Sequence, residues 1–272
     1  MNRIVRGTLA ASLVVGFSAV AQEHKHGSDE GAATPAHQNH PMDPNAPTPT
    51  GANVELKLEG GGAAGAYVAK PKGKIRGAVL ILHEWWGLND WIRSMADQLA
   101  GEGYLALAVD LYQGKVAAEP KEATALMKAL DETHGDKVEE AGVEWLKANA
   151  AGAKVATLGW CMGGGQSLNA SLHDPKDVNA TVMYYGMPVT DVAKLKTLKG
   201  PLLGIWANKD GWITPAKVKE FDKALTDAGI KHEFHAYDAD HAFANPSGGS
   251  HNGPFAKDAW QKTLAFLKTN VG

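Results

Sequence analysis

The run Lys154-Val155-Ala156-Thr157-Leu158-Gly159-Trp160-Cys161-Met162-Gly163-Gly164 decides how this chain reads. An apolar stretch ends in a turn with glycine at 159, 163 and 164 around Cys161, the one cysteine of the chain. A strand that passes abruptly into a helix forces its central residue into strained dihedrals, and only small neighbours fit where the backbones approach. A nucleophile held there projects above the strand end, and the first N–H groups of the following helix point at whatever it attacks. Cys161 stands where serine usually stands in G-x-S-x-G. The other reading is an inert buried thiol beside the glycine-rich turn of a nucleotide-binding fold. The turn does not match G-x-G-x-x-G, and no G-x-x-x-x-G-K-[ST] occurs.

Outward from this turn, apolar runs alternate with helical periodicities. Val54 to Leu58 and Ala64 to Ala69, with Gly60-Gly61-Gly62 between, predict an N-terminal hairpin or paired edge strands. Gly77 to His83 and Tyr104 to Val109 are continuous apolar runs of the kind buried on both faces of a parallel sheet. Further strands are predicted over Lys154 to Leu158, Val178 to Tyr185, Pro201 to Ala207 and His232 to Tyr237. A helix capped by Asp90 carries Ile92, Met95, Ala96 and Leu99 at helical spacing. Two more show Ala123, Leu126, Met127 and Leu130, then Val138, Ala141, Trp145 and Leu146. Met162 to Leu172, Ala216 to Ala228 and Pro254 to Lys268 complete the set. The alternation predicts an α/β fold with a mostly parallel central sheet and helices on both faces.

Such a sheet carries its chemistry at the carboxyl ends of its strands. The polar residues just after the apolar runs are Glu84, Asp110, Cys161, Asp210 and His241. Cysteine, Asp210 and His241 follow the chain order nucleophile, acid, histidine of the α/β-hydrolases. Asp210 lies between a strand and a helix, where it either orients a histidine ring or caps a turn. Ten other histidines compete for the base, and position after the final strand favours His241.

Gly-Trp-Cys-Met-Gly-Gly at 159–164, Asp-Gly-Trp-Ile-Thr-Pro at 210–215, His-Ala-Phe-Ala at 241–244 and His-Glu-Trp-Trp-Gly at 83–87, with Asp110-Leu111-Tyr112, together resemble the dienelactone hydrolase family over residues 53–272. The resemblance implies an α/β-hydrolase fold with a Cys161, His241, Asp210 triad and an ester or lactone as small-molecule substrate. It also implies that Glu84 contacts the resting thiol and swings away when substrate binds. Backbone N–H groups of Met162 and Trp85 are the expected oxyanion hole. Family members that act on the carboxylate-bearing lactone hold that carboxylate with two arginines. The matching stretches here, Gln113-Gly114-Lys115 and Ala242-Phe243-Ala244-Asn245, carry none. Lysine offers a charge without arginine's planar fork. Tyr112, Trp86, Trp212 and Phe243 are the expected substrate-binding side chains, with packing as the competing role for each.

Residues 1–21 read as a secretory signal: Arg3 and Arg6, an apolar stretch over Leu9 to Val20, and Ala19-Val20-Ala21 as cleavage site, so a mature chain begins at Gln22 in the periplasm or outside the cell. About a dozen apolar residues are too few to span a bilayer, so no membrane span remains after cleavage. Losing Arg3 and Arg6 from the 27 basic residues leaves 25 against 30 acidic ones, a balance that argues against nucleic acid as a partner. One cysteine forms no internal disulfide. Residues 22–52 lack periodicity and read as a disordered His/Pro-rich linker. Its His24, His26, His37 and His40 allow weak metal capture without fixed geometry, so no metal site and no cofactor is assigned. Two alternatives stay open: a thioesterase or acyltransferase on the same triad, or a non-catalytic secreted binding protein whose tail collects metal.

Overall fold

The computed structural model describes residues 48–272; the signal reading and the linker reading up to residue 47 lie outside the described residues. One eight-stranded sheet has the order β1-β2-β4-β3-β5-β6-β7-β8. Its strands are β1 (Ala52–Lys57), β2 (Ala63–Ala69), β3 (Gly77–Leu82), β4 (Tyr104–Val109), β5 (Val155–Trp160), β6 (Val178–Tyr184), β7 (Leu202–Ala207) and β8 (His232–Tyr237). The predicted hairpin forms: β1 pairs antiparallel with β2, and β2 antiparallel with β4. From β4 to β8 every pairing is parallel.

Every residue of β3, β4, β5 and β7 is buried, which is why these strands read as unbroken apolar runs rather than alternating ones. Helix α1 (Asp90–Gly101) and helix α7 (Gly253–Asn270) supply Ile92, Met95, Leu99, Phe266 and Leu267 to the core on one face. On the other face α3 (Glu132–Asn149) packs through Val138, Val143 and Leu146, and α4 (Met162–His173) and α6 (Pro215–Ala228) pack through Leu168, Phe221 and Leu225. Each such side chain removed from water contributes about 1.5–3 kcal/mol. Helices α2 (Pro120–Ala129) and the four-residue α5 (Val192–Leu195) complete the described elements.

Some local expectations need correction. Asn89, not Asp90, caps α1: its Oδ1 accepts from the Ile92 N–H at 3.1 Å, and Asp90 is the first helical residue. Strand β5 runs on through Gly159 and Trp160, so the turn begins at Cys161 itself. Met127 shares the helical spacing of its neighbours but stands 41% exposed, because α2 is a peripheral helix that buries only Ala123 fully. Helix α5 is too short to show a periodicity.

Two features place the start of α4. The chain leaves β3 for β4 on one side and returns to lay β5 on the other, so the loops after β3 and β5 diverge and open a crevice between them. The helix is also pinned from beneath. Thr157 Oγ1 on β5 donates to the Ser167 carbonyl at 2.8 Å, and Ser167 Oγ bonds to the Val182 carbonyl of β6 at 3.0 Å. Thr181 Oγ1 donates to Ser171 Oγ at 2.7 Å. These buried hydroxyls satisfy one another, so they fix α4 on the sheet without leaving polar groups unpaired.

Candidate active site

Cys161 sits at φ 56°, ψ −120°, a region that residues bearing a side chain rarely adopt. The strain is imposed by contact on both sides. A Cβ on Gly163 would lie 2.1 Å from the Leu82 carbonyl oxygen, and one on Gly159 would lie 1.9 Å from the Gly163 carbonyl oxygen. Glycine is what allows α4 to start this close to the ends of β3 and β5. The other positive-φ residues that are not glycine are Gln113, Tyr185 and Ala242 at 54°, 37° and 62°. All four lie in loops beyond the carboxyl ends of strands, so the backbone strain of the described residues is gathered at this one edge.

Asp210 and His241 arrive from the loops after β7 and β8. His241 Nδ1 lies 2.5 Å from Asp210 Oδ2. A carboxylate only accepts, so Nδ1 carries the proton. Asp210 fills both roles that its sequence left open, because Oδ1 accepts from the Trp212 and Ile213 N–H groups at 2.8 and 2.9 Å and thereby closes the turn. Burial opposes the charge of Asp210, but the His241 hydrogen bond and charge and those two N–H donors hold its carboxyl below the usual range. The His241 ring packs between Tyr185, at 5.0 Å between centroids, and Trp212, at 5.2 Å. Its Nε2 is buried with no well-formed hydrogen bond. Burial disfavours an imidazolium here, yet the nearby Cys161 charge, the Asp210 hydrogen bond and a thiol contact outweigh it and push the ring upward. With Nδ1 engaged, Nε2 is the ring nitrogen left for the sulfur.

Glu84 is fully buried beside this group, and its carboxyl is pushed up to about 7 by burial, against the opposing effects of Asn245 and His241. Its hydrogen bond goes to a residue that the sequence did not offer. Glu84 Oε2 accepts from Asn245 Nδ2 at 2.6 Å, and Oε1 is buried without a hydrogen bond. Asn245 closes the stretch 242–245, in which the resemblance leads one to look for an arginine. An amide there takes up Glu84 instead, and Lys115, the remaining cation, is exposed.

His83 escaped notice as more than a strand residue. Its Nε2 accepts from the Leu111 N–H at 3.1 Å, so Nδ1 holds the ring proton and faces the Glu84 carbonyl oxygen at 2.6 Å. Burial keeps this imidazole below its usual range, and thus neutral. In a planar trans peptide the C=O and N–H point opposite ways. Fixing the Glu84 carbonyl therefore fixes the direction of the Trp85 N–H. Tyr185 was missed as well: it directly follows β6, and burial, then the charges of Glu84 and Cys161, raise its phenol. Its apolar run gave no signal beyond a strand end.

The expected substrate side chains separate into two sets. Trp212, 37% exposed, covers His241 from the solvent side. Phe243 is fully buried against Tyr185, Tyr237 and Phe255, so it packs the core rather than lining an opening. Trp86 is 5% exposed and packs with Ala117 and Ala123. Tyr112, also buried, donates its hydroxyl to Met162 Sδ at 3.1 Å and steadies the residue after Cys161. Asp110 holds the Tyr112 N–H at 2.8 Å and shapes that loop.

The family model of the dienelactone hydrolase family matches residues 64–271. The chain belongs to the dienelactone hydrolase family. Protein usf of Aquifex pyrophilus is 34% identical over 228 residues, covering 80% of this chain and 98% of that one. A protein of Aquifex aeolicus named for carboxymethylenebutenolidase is 32% identical, with the same coverage. Among solved structures, a Klebsiella pneumoniae chain named for dienelactone hydrolase superposes with a TM-score of 0.71 at 27% identity, covering 80% of this chain and 98% of that one. A dienelactone hydrolase-like promiscuous phosphotriesterase from metagenomic libraries gives 0.73 at 19% identity, covering 82% and 99%, a likeness of fold. As a dienelactone hydrolase family member the chain is a hydrolase on the α/β-hydrolase fold.

Glu84 titrates near 7 when folded against 4.5 for a free carboxyl, so its burial costs nothing below about pH 4.5 and lowers stability as pH rises through 7. Replacing Glu84 by Gln should therefore stabilise the protein, with a gain about 2 kcal/mol larger at pH 8.5 than at pH 5 in urea unfolding. A gain independent of pH would remove Glu84 as a buried, titrating acid.

Proposed function

We propose that this chain is an exported hydrolase that opens an ester or lactone through an acyl-enzyme on Cys161. The reading rests above all on the buried Asp210, His241 pair, which leaves one imidazole nitrogen for a sulfur presented on strained backbone at a helix start. His241 Nε2 takes the thiol proton as sulfur attacks the carbonyl carbon. Asp210 keeps the ring in the Nδ1–H tautomer and offsets the imidazolium charge. The oxyanion meets the N–H groups of Met162, first in α4, and Trp85, aimed by His83 through the Glu84 carbonyl. Nε2 then returns the proton to the leaving alkoxide, the C–O bond breaks, and a water activated by the same nitrogen releases the acid.

Glu84 sets the charge of the pocket around this cycle. Near neutral pH it is divided between its two forms, so it admits a substrate without adding a full negative charge beside the attacking sulfur. Absence of the two family arginines, with Asn245 held by Glu84 and Trp212 over the histidine, favours an uncharged acyl group over an anionic lactone. Export is read from residues 1–21, and amino-terminal sequencing of protein from the cell envelope should start at Gln22; recovery of the chain from the cytoplasm with Met1 intact would refute it.

With purified protein and a neutral p-nitrophenyl ester, Cys161→Ala should abolish turnover. Asp210→Asn should lower kcat by about 10³–10⁴ while far-ultraviolet dichroism is unchanged. The same protein should have a lower kcat/KM on a carboxylate-bearing lactone than on the neutral ester. Full activity of Cys161→Ala overturns the nucleophile, and selectivity for the anion overturns the substrate class.

A further inference from the structure

Away from the catalytic edge, α3 and the far end of α4 hold a second group of titratable side chains. Asp136 and Glu139, three residues apart, project from one face of α3. His173 is the last residue of α4, twelve residues after Cys161 and thus about 18 Å of helix away. One ligand atom from each of the three lies within 4.8 Å of the others. His173 Nδ1 is already 3.2 Å from Asp136 Oδ1.

Glu139 is the unusual member. It is 1% exposed, and neither of its carboxylate oxygens has a hydrogen-bond partner. A carboxylate buried without a partner is costly enough that proteins pair it, neutralise it or give it a metal. No cation pairs with it among the described residues, and its nearest charged influence is Asp136, of the same sign; burial and that charge both push its carboxyl well up. Asp136 and His173 are about half exposed, which leaves a way in from solvent. One divalent cation would balance both carboxylates, with neutral imidazole as the third ligand.

We propose that Asp136, Glu139 and His173 form a three-ligand site for a zinc-class divalent cation that clasps α3 to the end of α4. One imidazole with two carboxylates suits zinc better than calcium or magnesium, which take oxygen ligands only. Zinc bonds of about 2.0–2.2 Å set ligand atoms roughly 3–3.5 Å apart. The His173 to Asp136 separation matches that now, and a Glu139 oxygen within 4.8 Å of both has only to draw closer. The bound cation replaces a close His173–Asp136 contact with three metal bonds, fixes the carboxyl end of the helix whose other end carries Cys161, and leaves water in the remaining position.

The test uses the full chain with His24→Ala, His26→Ala, His37→Ala and His40→Ala, so that the histidines of the tail cannot supply the signal. Equilibrium dialysis against zinc chloride at pH 7.5 should retain one equivalent, and zinc should raise the unfolding temperature by several degrees. Adding Glu139→Gln, or the surface change His173→Gln, should weaken that binding by more than the 10–100-fold typical of losing a mere outer partner of a ligand, and should abolish the thermal shift. Failure of the tail variant to bind zinc overturns the site. So does binding that survives both Glu139→Gln and His173→Gln.

Discussion

Everything at the carboxyl edge of the sheet depends on the close approach of α4 to the ends of β3 and β5. Glycine at 159 and 163 lets backbone meet backbone where any Cβ would collide, and the cost appears as the left-handed conformation of Cys161. That conformation holds only because the rest of the fold over-determines it. The hydroxyl network of Thr157, Ser167, Ser171 and Thr181 ties α4 down to β5 and β6, and the fully buried β3, β4 and β5 supply a floor that does not yield. Strain at one residue is thus carried by apolar burial several layers deep.

Charge is handled within the same small volume. Asp210, His241 and Glu84 are buried close enough for charge to act between them: His241 lowers both carboxyls and Asp210 raises the ring. Asp210 is stabilised as an anion by two N–H groups and the imidazole. Glu84 has one amide and is pushed towards its neutral form. Both carboxyls are nearly closed to solvent, and they take different states because Glu84 is more deeply desolvated and has fewer donors. His83, neutral and bonded at both nitrogens, links this electrostatic arrangement to the backbone by fixing the Glu84 peptide.

Much of this was legible in the sequence because each element carried its own signal. The unbroken apolar runs of β3, β4 and β5 state burial on both faces, and Gly159, Gly163 and Gly164 mark the turn. Asp210 and His241 could be placed because both follow strands in the expected chain order. What escaped depended on contacts between distant segments. Nothing near Asn245 announces that its amide reaches Glu84, 161 positions away. Phe243 reads like a loop aromatic until the fold sets it among Tyr185, Tyr237 and Phe255. Met127 fits a helical stripe, yet α2 lies at the periphery and leaves it exposed.

The sulfur of Cys161 carries the whole account, and chemical trapping addresses it without a substitution. Mixing the unaltered protein with a p-nitrophenyl ester, quenching in acid within the first turnover and mapping peptides by mass should find the acyl group on the peptide that holds Cys161, in near-stoichiometric amount, decaying as turnover proceeds. Steady hydrolysis with that peptide unmodified and the acyl group on a serine elsewhere would contradict it.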